Sequence, residues 1–304
     1  MTSNEKLKDL ENELSKAILG QPHVIPRVTQ VLKRGELNLT NPVRPKGNFL
    51  FLGPTGTGKT ELTKVFTKFL FGNEKSLIRF DMSEYQTKES LELLIGDKSG
   101  WNGRLGEALL NSNGFGTLLF DEMEKAHREI LDIFLQIMDD ARLTTGTGEI
   151  HDLRNYYIVL TSNAGSDKLH NSRRLNFSTI ERSIKLTLSQ YGFRDEFIGR
   201  FNEVIVFKKL EYSTLREIAK LNLHKELKRL SSLISNHYDQ TIDLKADVEV
   251  IDLSVMEGCN NRLGARPLRN YIETELQNAL SEAIISERQP HGEIVVRDGH
   301  FYLC

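Results

Sequence analysis

The chain has 304 residues, 39% of them apolar and 27% charged, with 40 Lys and Arg against 42 Asp and Glu and a net charge of −2. That composition fits a soluble globular protein, and the near-neutral balance removes any global electrostatic case for nucleic acid or an anionic membrane. No run approaches the roughly 18 consecutive apolar residues of a membrane span. The polar start, Met1 to Lys6, lacks a signal-peptide core. The two cysteines, Cys259 and Cys304, exclude a disulfide framework and fit free thiols, so a cytoplasmic protein is expected.

The length is near the limit for one hydrophobic core, which predicts a large domain and a smaller one. Leu7, Leu10, Leu14 and Ile18 recur at helical spacing and predict an amphipathic helix ending near Gly20. A second helical stretch follows Pro22, then a loop with Pro42, Pro45 and Gly47. The apolar run 48–52 reads as a buried strand. Further strands are expected at 76–80, 117–120, 156–161 and 204–207, separated by helical stretches. This alternation predicts an α/β fold with a mostly parallel sheet covered on both faces. Beyond Phe207 the texture changes. Residues 211–236 are helical and charged, and Leu268, Ile272, Leu276, Leu280 and Ile284 form an i,i+4 stripe whose ordinary meaning is core packing. Asp298-Gly299 between two short strands predicts a terminal hairpin. The boundary falls after residue 207, giving domains 1–207 and 208–304.

Gly53-Pro54-Thr55-Gly56-Thr57-Gly58-Lys59-Thr60 fits G-x-x-x-x-G-K-T completely, between an apolar strand and the helical stretch 61–70. The glycines let backbone N–H groups surround phosphate oxygens, and the helix N-terminus adds its positive end. Lys59 is expected on the β- and γ-phosphates of ATP, and the Thr60 hydroxyl on Mg²⁺. About sixty residues on, an apolar strand ends in Asp121-Glu122. Asp121 is expected to hold Mg²⁺, and Glu122 to polarise the attacking water as general base.

Asp121-Glu122-Met123-Glu124-Lys125-Ala126-His127 resembles the D-E-(I/M)-E-K-A-H signature of Clp-type AAA+ ATPases. The likeness covers nearly the whole chain and is greatest to the second, C-terminal ATPase module of double-ring Clp unfoldases and ClpB-type disaggregases. It implies an AAA+ P-loop NTPase domain with a five-stranded parallel sheet, followed by a small α+β lid. Ile18-Leu19-Gly20-Gln21 resembles the V-I-G-Q element beside the adenine, which assigns Ile18 and Leu19 to nucleotide binding. Asp81-Met82-Ser83-Glu84-Tyr85 matches D-M-S-E-Y, and Leu143, Thr144 and Gly146 fall in a segment like R-L-T-D-G-x-G. Thr161-Ser162-Asn163 resembles the sensor-1 strand end, which gives Asn163 the γ-phosphate or the attacking water; read without the family it would cap a turn. Gly264-Ala265-Arg266-Pro267-Leu268 resembles the sensor-2 motif, which gives Arg266 the γ-phosphate.

Glu196-Phe197-Ile198-Gly199-Arg200-Phe201 resembles E-F-x-N-R-(I/L), which makes Arg200 an arginine finger for a neighbouring subunit's site. A homo-oligomeric, usually hexameric, ring is implied. Gly199 departs from the usual Asn. Gly100-Trp101-Asn102-Gly103 stands where the family has a G-Y-V-G pore loop, so Trp101 is the candidate polypeptide grip, against the plainer reading of a tryptophan tucked into a turn.

The chain carries one ATPase module and no recruiting domain, so it reads either as a naturally single-ring protein or as a module of a longer one. Leu175-Asn176-Phe177 replaces the (L/I/V)-G-(F/L) loop of peptidase-coupled members, so docking to a ClpP-type peptidase is not expected. The coiled-coil middle domain of disaggregases is missing too. No H-E-x-x-H, G-x-S-x-G or Rossmann glycine pattern occurs, and Arg173-Arg174 and Lys208-Lys209 read as solvated surface. The expected function is ATP-driven protein remodelling by a ring that threads polypeptide past Trp101. The alternative is an ATP-dependent assembly or switch protein, in a DNA-handling system for example, that recruits a partner without threading.

Overall fold

The structure, a computed structural model, describes residues 3–171, 176–238, 243–260, 263–286 and 291–304. In chain order its strands are β1 (Gly47–Leu52), β2 (Leu77–Asp81), β3 (Gly116–Asp121), β4 (Arg142–Thr144), β5 (Ile150–Asp152), β6 (Tyr156–Ser162), β7 (Glu203–Val206), β8 (Leu244–Ala246), β9 (Gly292–Arg297) and β10 (His300–Leu303). The chain divides into two compact units, Met1–Gly53 with Gly58–Lys208, and Pro54–Thr57 with Lys209–Cys304.

In the first unit five strands form a parallel sheet in the order β2-β3-β6-β1-β7. The three central strands, β3, β6 and β1, are buried at every position. Their side chains alternate between faces. Leu50, Leu52, Leu118 and Phe120 enter one apolar cluster, and Phe49, Phe51 and Leu119 enter another on the opposite face. Both faces are therefore covered, which is why these strands read as unbroken apolar runs. Helix Ser3–Ala17 contributes Leu7, Leu10 and Leu14 to the second cluster. The helix after β1 runs Lys59–Phe71 and stops at Gly72, which takes the left-handed conformation (φ 81°). The small antiparallel pair β4–β5 was not foreseen: three-residue strands carry too few alternations to register as a pattern.

The second unit holds the long helix Tyr212–Tyr238, helices Val248–Gly258 and Leu268–Ile285, and a three-stranded sheet in the order β10-β9-β8. Leu268, Ile272, Leu276 and Leu280 are buried in its core, while Ile284, the last of the stripe, is 36% exposed. Asp298 (φ 50°) and Gly299 (φ 78°) make the left-handed pair that a two-residue hairpin requires. Strand β8, which pairs parallel to β9, has no periodic signal in the sequence. Among the described residues no helix is long and apolar enough to cross a membrane.

Candidate active site

Parallel strands place their C-terminal ends on one edge, and in such sheets ligands bind there. Asp81 lies opposite Asp121 in the β2–β3 register, Phe120 opposite Leu160 in β3–β6 and Leu52 opposite Ser162 in β1–β6, so Asp121, Thr161 and Gly53 after β1 share that edge. Asp121 is 4% exposed. A carboxylate so buried must be paired and hydrogen-bonded, and it is. Thr161 Oγ1 donates to its Oδ1 at 2.8 Å, Thr60 Oγ1 to the same oxygen at 3.3 Å, and Arg79 Nε to Oδ2 at 2.6 Å.

Lys59 is buried, and its Nζ donates to the Gly53 carbonyl and to Asn163 Oδ1, the latter at 3.2 Å. Burial pushes this ammonium down to about 8, against the opposing pull of Glu124, Asp121 and Glu122. A desolvated cation of this kind is a ready partner for a polyanion. Gly58, at φ 103°, opens the helix that follows, a conformation that non-glycine residues rarely adopt. Ile18 is buried, and its Cγ2 lies 3.8 Å from where a Cβ on Gly58 would stand; Leu19 beside it is half-buried. Gln21 exchanges two hydrogen bonds with the Lys208 backbone, at 2.8 and 2.9 Å, which ties this segment to the end of β7.

Glu122 leaves β3 in the left-handed region (φ 59°, ψ 44°). A non-glycine residue held there costs on the order of 1–3 kcal/mol, which directs attention to function. Its N–H donates to Thr161 Oγ1 at 3.3 Å, and its Oε2 sits 2.5 Å from Lys125 Nζ. Asn163, just past β6, accepts from Lys59, and its N–H donates to Glu124 Oε1 at 3.1 Å. The other Glu124 oxygen is buried without a partner among the described atoms. Gly53, Gly58, Lys59, Thr60, Asp121, Glu122 and Asn163 thus form one cluster. Arg79, Glu124, Lys125 and Thr161 belong to it as well. Glu124, Lys125 and Thr161 fall within the motifs quoted above but were given no role there, and Arg79 was passed over because an arginine inside a strand is an ordinary surface signal.

Pro54, Thr55, Gly56 and Thr57 group with the second unit, where the Ala265 N–H donates to the Gly56 carbonyl at 3.3 Å. Arg266, exposed, follows Ala265 and precedes helix Leu268–Ile285. Arg200 follows the short helix Asp195–Ile198 and pairs with Asp139, its Nε 2.8 Å from Oδ2. Gly199 has ordinary helical angles (φ −65°, ψ −10°), and a Cβ there would meet nothing closer than the Asp195 carbonyl at 3.5 Å. Its departure from the usual Asn therefore reflects no backbone demand. Trp101 is half-buried, and its indole N–H donates to Glu107 Oε1 at 2.6 Å. Neighbouring Asn102 hydrogen-bonds Thr145, at 3.1 Å, and Thr147 and Glu149, so this loop and the β4–β5 turn are one bonded unit.

Of the segment considered for peptidase docking, Leu175 lies outside the described residues, as do Arg173 and Arg174. Asn176 caps helix Phe177–Leu186, and Phe177 packs edge-on to His23 at 4.7 Å and under Lys208 Nζ at 4.4 Å.

The family model described as AAA domain (Cdc48 subfamily) matches residues 44–204. The model described as the C-terminal, D2-small domain of ClpB protein matches residues 210–296. The chain is 38% identical to the chaperone protein ClpB of Prochlorococcus marinus over 97% of its own length and 34% of that protein's. It is 38% identical to ClpB of Meiothermus ruber over 98% of its own length and 34% of that protein's. Among solved structures it is similar to a closed state of Hsp104 with ATPγS and FITC-casein (TM-score 0.84, 31% identity, 100% of this chain and 52% of that one). It is equally similar to the S. cerevisiae Hsp104–ADP complex (TM-score 0.84, 31% identity, 100% of this chain and 53% of that one). The chain spans about a third of the length of the curated relatives it matches, at 34%. Sheet order, phosphate loop and both matched models agree: the chain belongs to the AAA family, as a Clp-type AAA+ module.

Proposed function

We propose that this chain is an ATP-hydrolysing protein-remodelling motor that works as a homo-oligomeric, hexameric ring in the cytoplasm. Residues 1–207 serve as the nucleotide-binding domain and 208–304 as the lid. The observation that carries this reading is the junction at Asp121, where the phosphate-loop hydroxyl of Thr60 and the strand-end hydroxyl of Thr161 meet one carboxylate oxygen.

The donor set fits Mg²⁺, since Thr60 and Asp121 offer hard oxygens 3.3 Å apart beside the phosphate loop. Bound there, the ion would supply positive charge opposite the phosphate oxygens. The loop 53–60 wraps the phosphates, with Ile18 and Leu19 toward the adenine. Lys59 exchanges its contact with the Gly53 carbonyl for the β- and γ-phosphates. Glu122, released from Lys125, takes a proton from the water whose oxygen bonds to the γ-phosphorus as the bond to the β-phosphate oxygen breaks. Asn163 orients that water, Arg266 senses the γ-phosphate, and Arg200 of a neighbouring protomer stabilises the charge that develops. The similar ClpB chaperones, and the similar Hsp104 structure with FITC-casein, support a protein substrate. Neither a peptidase partner nor nucleic acid is part of this reading.

In the threading role Trp101 grips polypeptide. Replacing it with Ala is expected to abolish remodelling of an unfolded protein while sparing most basal ATPase; normal remodelling by that variant would remove threading by this residue. One observation favours the second reading, an ATP-dependent assembly or switch protein: the Trp101 indole is engaged with Glu107 of its own chain. That reading predicts ATP-gated partner binding and no stimulation of hydrolysis by an unstructured polypeptide.

A further inference from the structure

Helix Arg128–Asp140 ends on two carboxylates, Asp139 and Asp140, with no basic residue in its last turn. Acidic groups at a helix C-terminus face the negative end of the dipole and are disfavoured there. Cations from elsewhere in the first unit offset this. Arg142 Nε lies 3.7 Å from Asp140, while Asp139 receives Arg44 at 3.1 Å on Oδ1 and Arg200 at 2.8 Å on Oδ2. Asp139 thus has one arginine on each oxygen.

Arg200 is fixed at both ends of its buried portion. Its N–H donates to the Phe197 carbonyl at 3.1 Å, and its own carbonyl accepts from Asn48 Nδ2 at 3.3 Å at the start of β1. Farther out, Nε is buried and close to Asp139, at an angle outside that of a hydrogen bond, so the contact is chiefly charge on charge. The side chain as a whole is still 40% exposed, and Nε contributes none of that exposure. An arginine held at its root and at Nε, yet exposed elsewhere, has lost much of its rotamer freedom before it meets any partner. Such preorganisation is what a group aimed at developing charge needs.

We propose that Asp139 is the positioning residue for Arg200: it fixes the guanidinium so that its exposed part reaches a neighbouring protomer's nucleotide. The inference rests on the reading of Arg200 as a group acting in trans. Arg44, on the other oxygen, keeps Asp139 itself in place.

The test compares steady-state ATPase and nucleotide affinity for the full chain and for Asp139→Ala, Asp139→Asn, Asp139→Glu, Arg200→Ala and the Asp139→Ala/Arg200→Ala double variant. Both neutral variants should lower kcat at least about tenfold with nucleotide Kd within about twofold, since only the transition state uses the finger. Asp139→Glu should recover much of the rate. The double variant should fall within about twofold of Arg200→Ala alone, because one residue acts through the other. Asp139→Asn keeps shape and volume and carries the test if the alanine variant folds poorly. If Arg200→Ala is impaired while Asp139→Asn turns over normally, the positioning role is wrong and the finger stands. Losses that multiply in the double variant also overturn it. If Arg200→Ala itself turns over normally, the trans reading falls and this role with it.

Discussion

The edge of the sheet at Asp121 and the surface at Arg200 are built on opposite plans. At Asp121 the described donors and acceptors close on one another: Thr60 and Thr161 on Oδ1, Arg79 on Oδ2, Lys59 on Asn163. Arg200 is anchored through its backbone and Nε while the rest of the side chain stays exposed. The first arrangement is closed by contacts within the chain. The second leaves a charged group partly exposed at the surface. On the proposed function, they would be the fixed half and the presented half of a catalytic site divided between protomers.

The largest effect expected on the fixed half is kinetic. Glu122→Gln should keep nucleotide affinity within about twofold and lower turnover by about 10²–10⁴, the usual worth of a general base; parallel binding and phosphate-release assays separate the two. Next comes the packing beneath the edge. Phe120 stacks on Phe80 at 5.4 Å and meets Phe134 edge-on at 4.5 Å. Phe120→Ala should therefore cost about 3–5 kcal/mol in denaturant unfolding of the first unit. Thr161→Val keeps the side-chain shape but removes the donor to Asp121 and the acceptor for the Glu122 N–H. It should destabilise by about 1–3 kcal/mol and slow hydrolysis by loosening Glu122. An unchanged rate would show that the left-handed turn at Glu122 holds without Thr161.

The smallest effect sharpens the presented half. Gly199 sits in helical geometry with room for a Cβ. Gly199→Ala should stabilise by about 0.4–1 kcal/mol, through the unfolded chain, and leave ATPase unchanged. A loss of activity there would mean that the backbone before Arg200 has to move during turnover.

Much of the fixed half was legible in the sequence because its signals are local. The glycine spacing of 53–60 and the apolar strand before Asp121 each announce a backbone conformation or an edge position, whereas Asn163 stood out only through the family resemblance. The sheet was legible for the same reason, since strands buried on both faces leave unbroken apolar runs. What escaped notice depends on distant partners. Arg79 gains meaning only when β2 lies beside β3, and Asp139 only when Arg200 and Arg44, far off in sequence, converge on it. Short strands such as β4, β5 and β8 carry too few residues for periodicity. The positions 199 and 101, where the chain leaves the Clp pattern, could be interpreted only from geometry: Gly199 is unconstrained, and Trp101 has an in-chain partner.

The measurement that bears most directly on a divided site mixes two inactive variants. Glu122→Gln retains the presented arginine and Arg200→Ala retains the base. In a mixed ring about a quarter of neighbour pairs join an intact base to an intact finger when subunits combine at random in equal amounts. ATPase activity of the mixture is predicted to rise well above the sum of the two variants measured alone. A mixture that assembles yet hydrolyses no faster than that sum would contradict the account, because the two halves of the site would then belong to one chain.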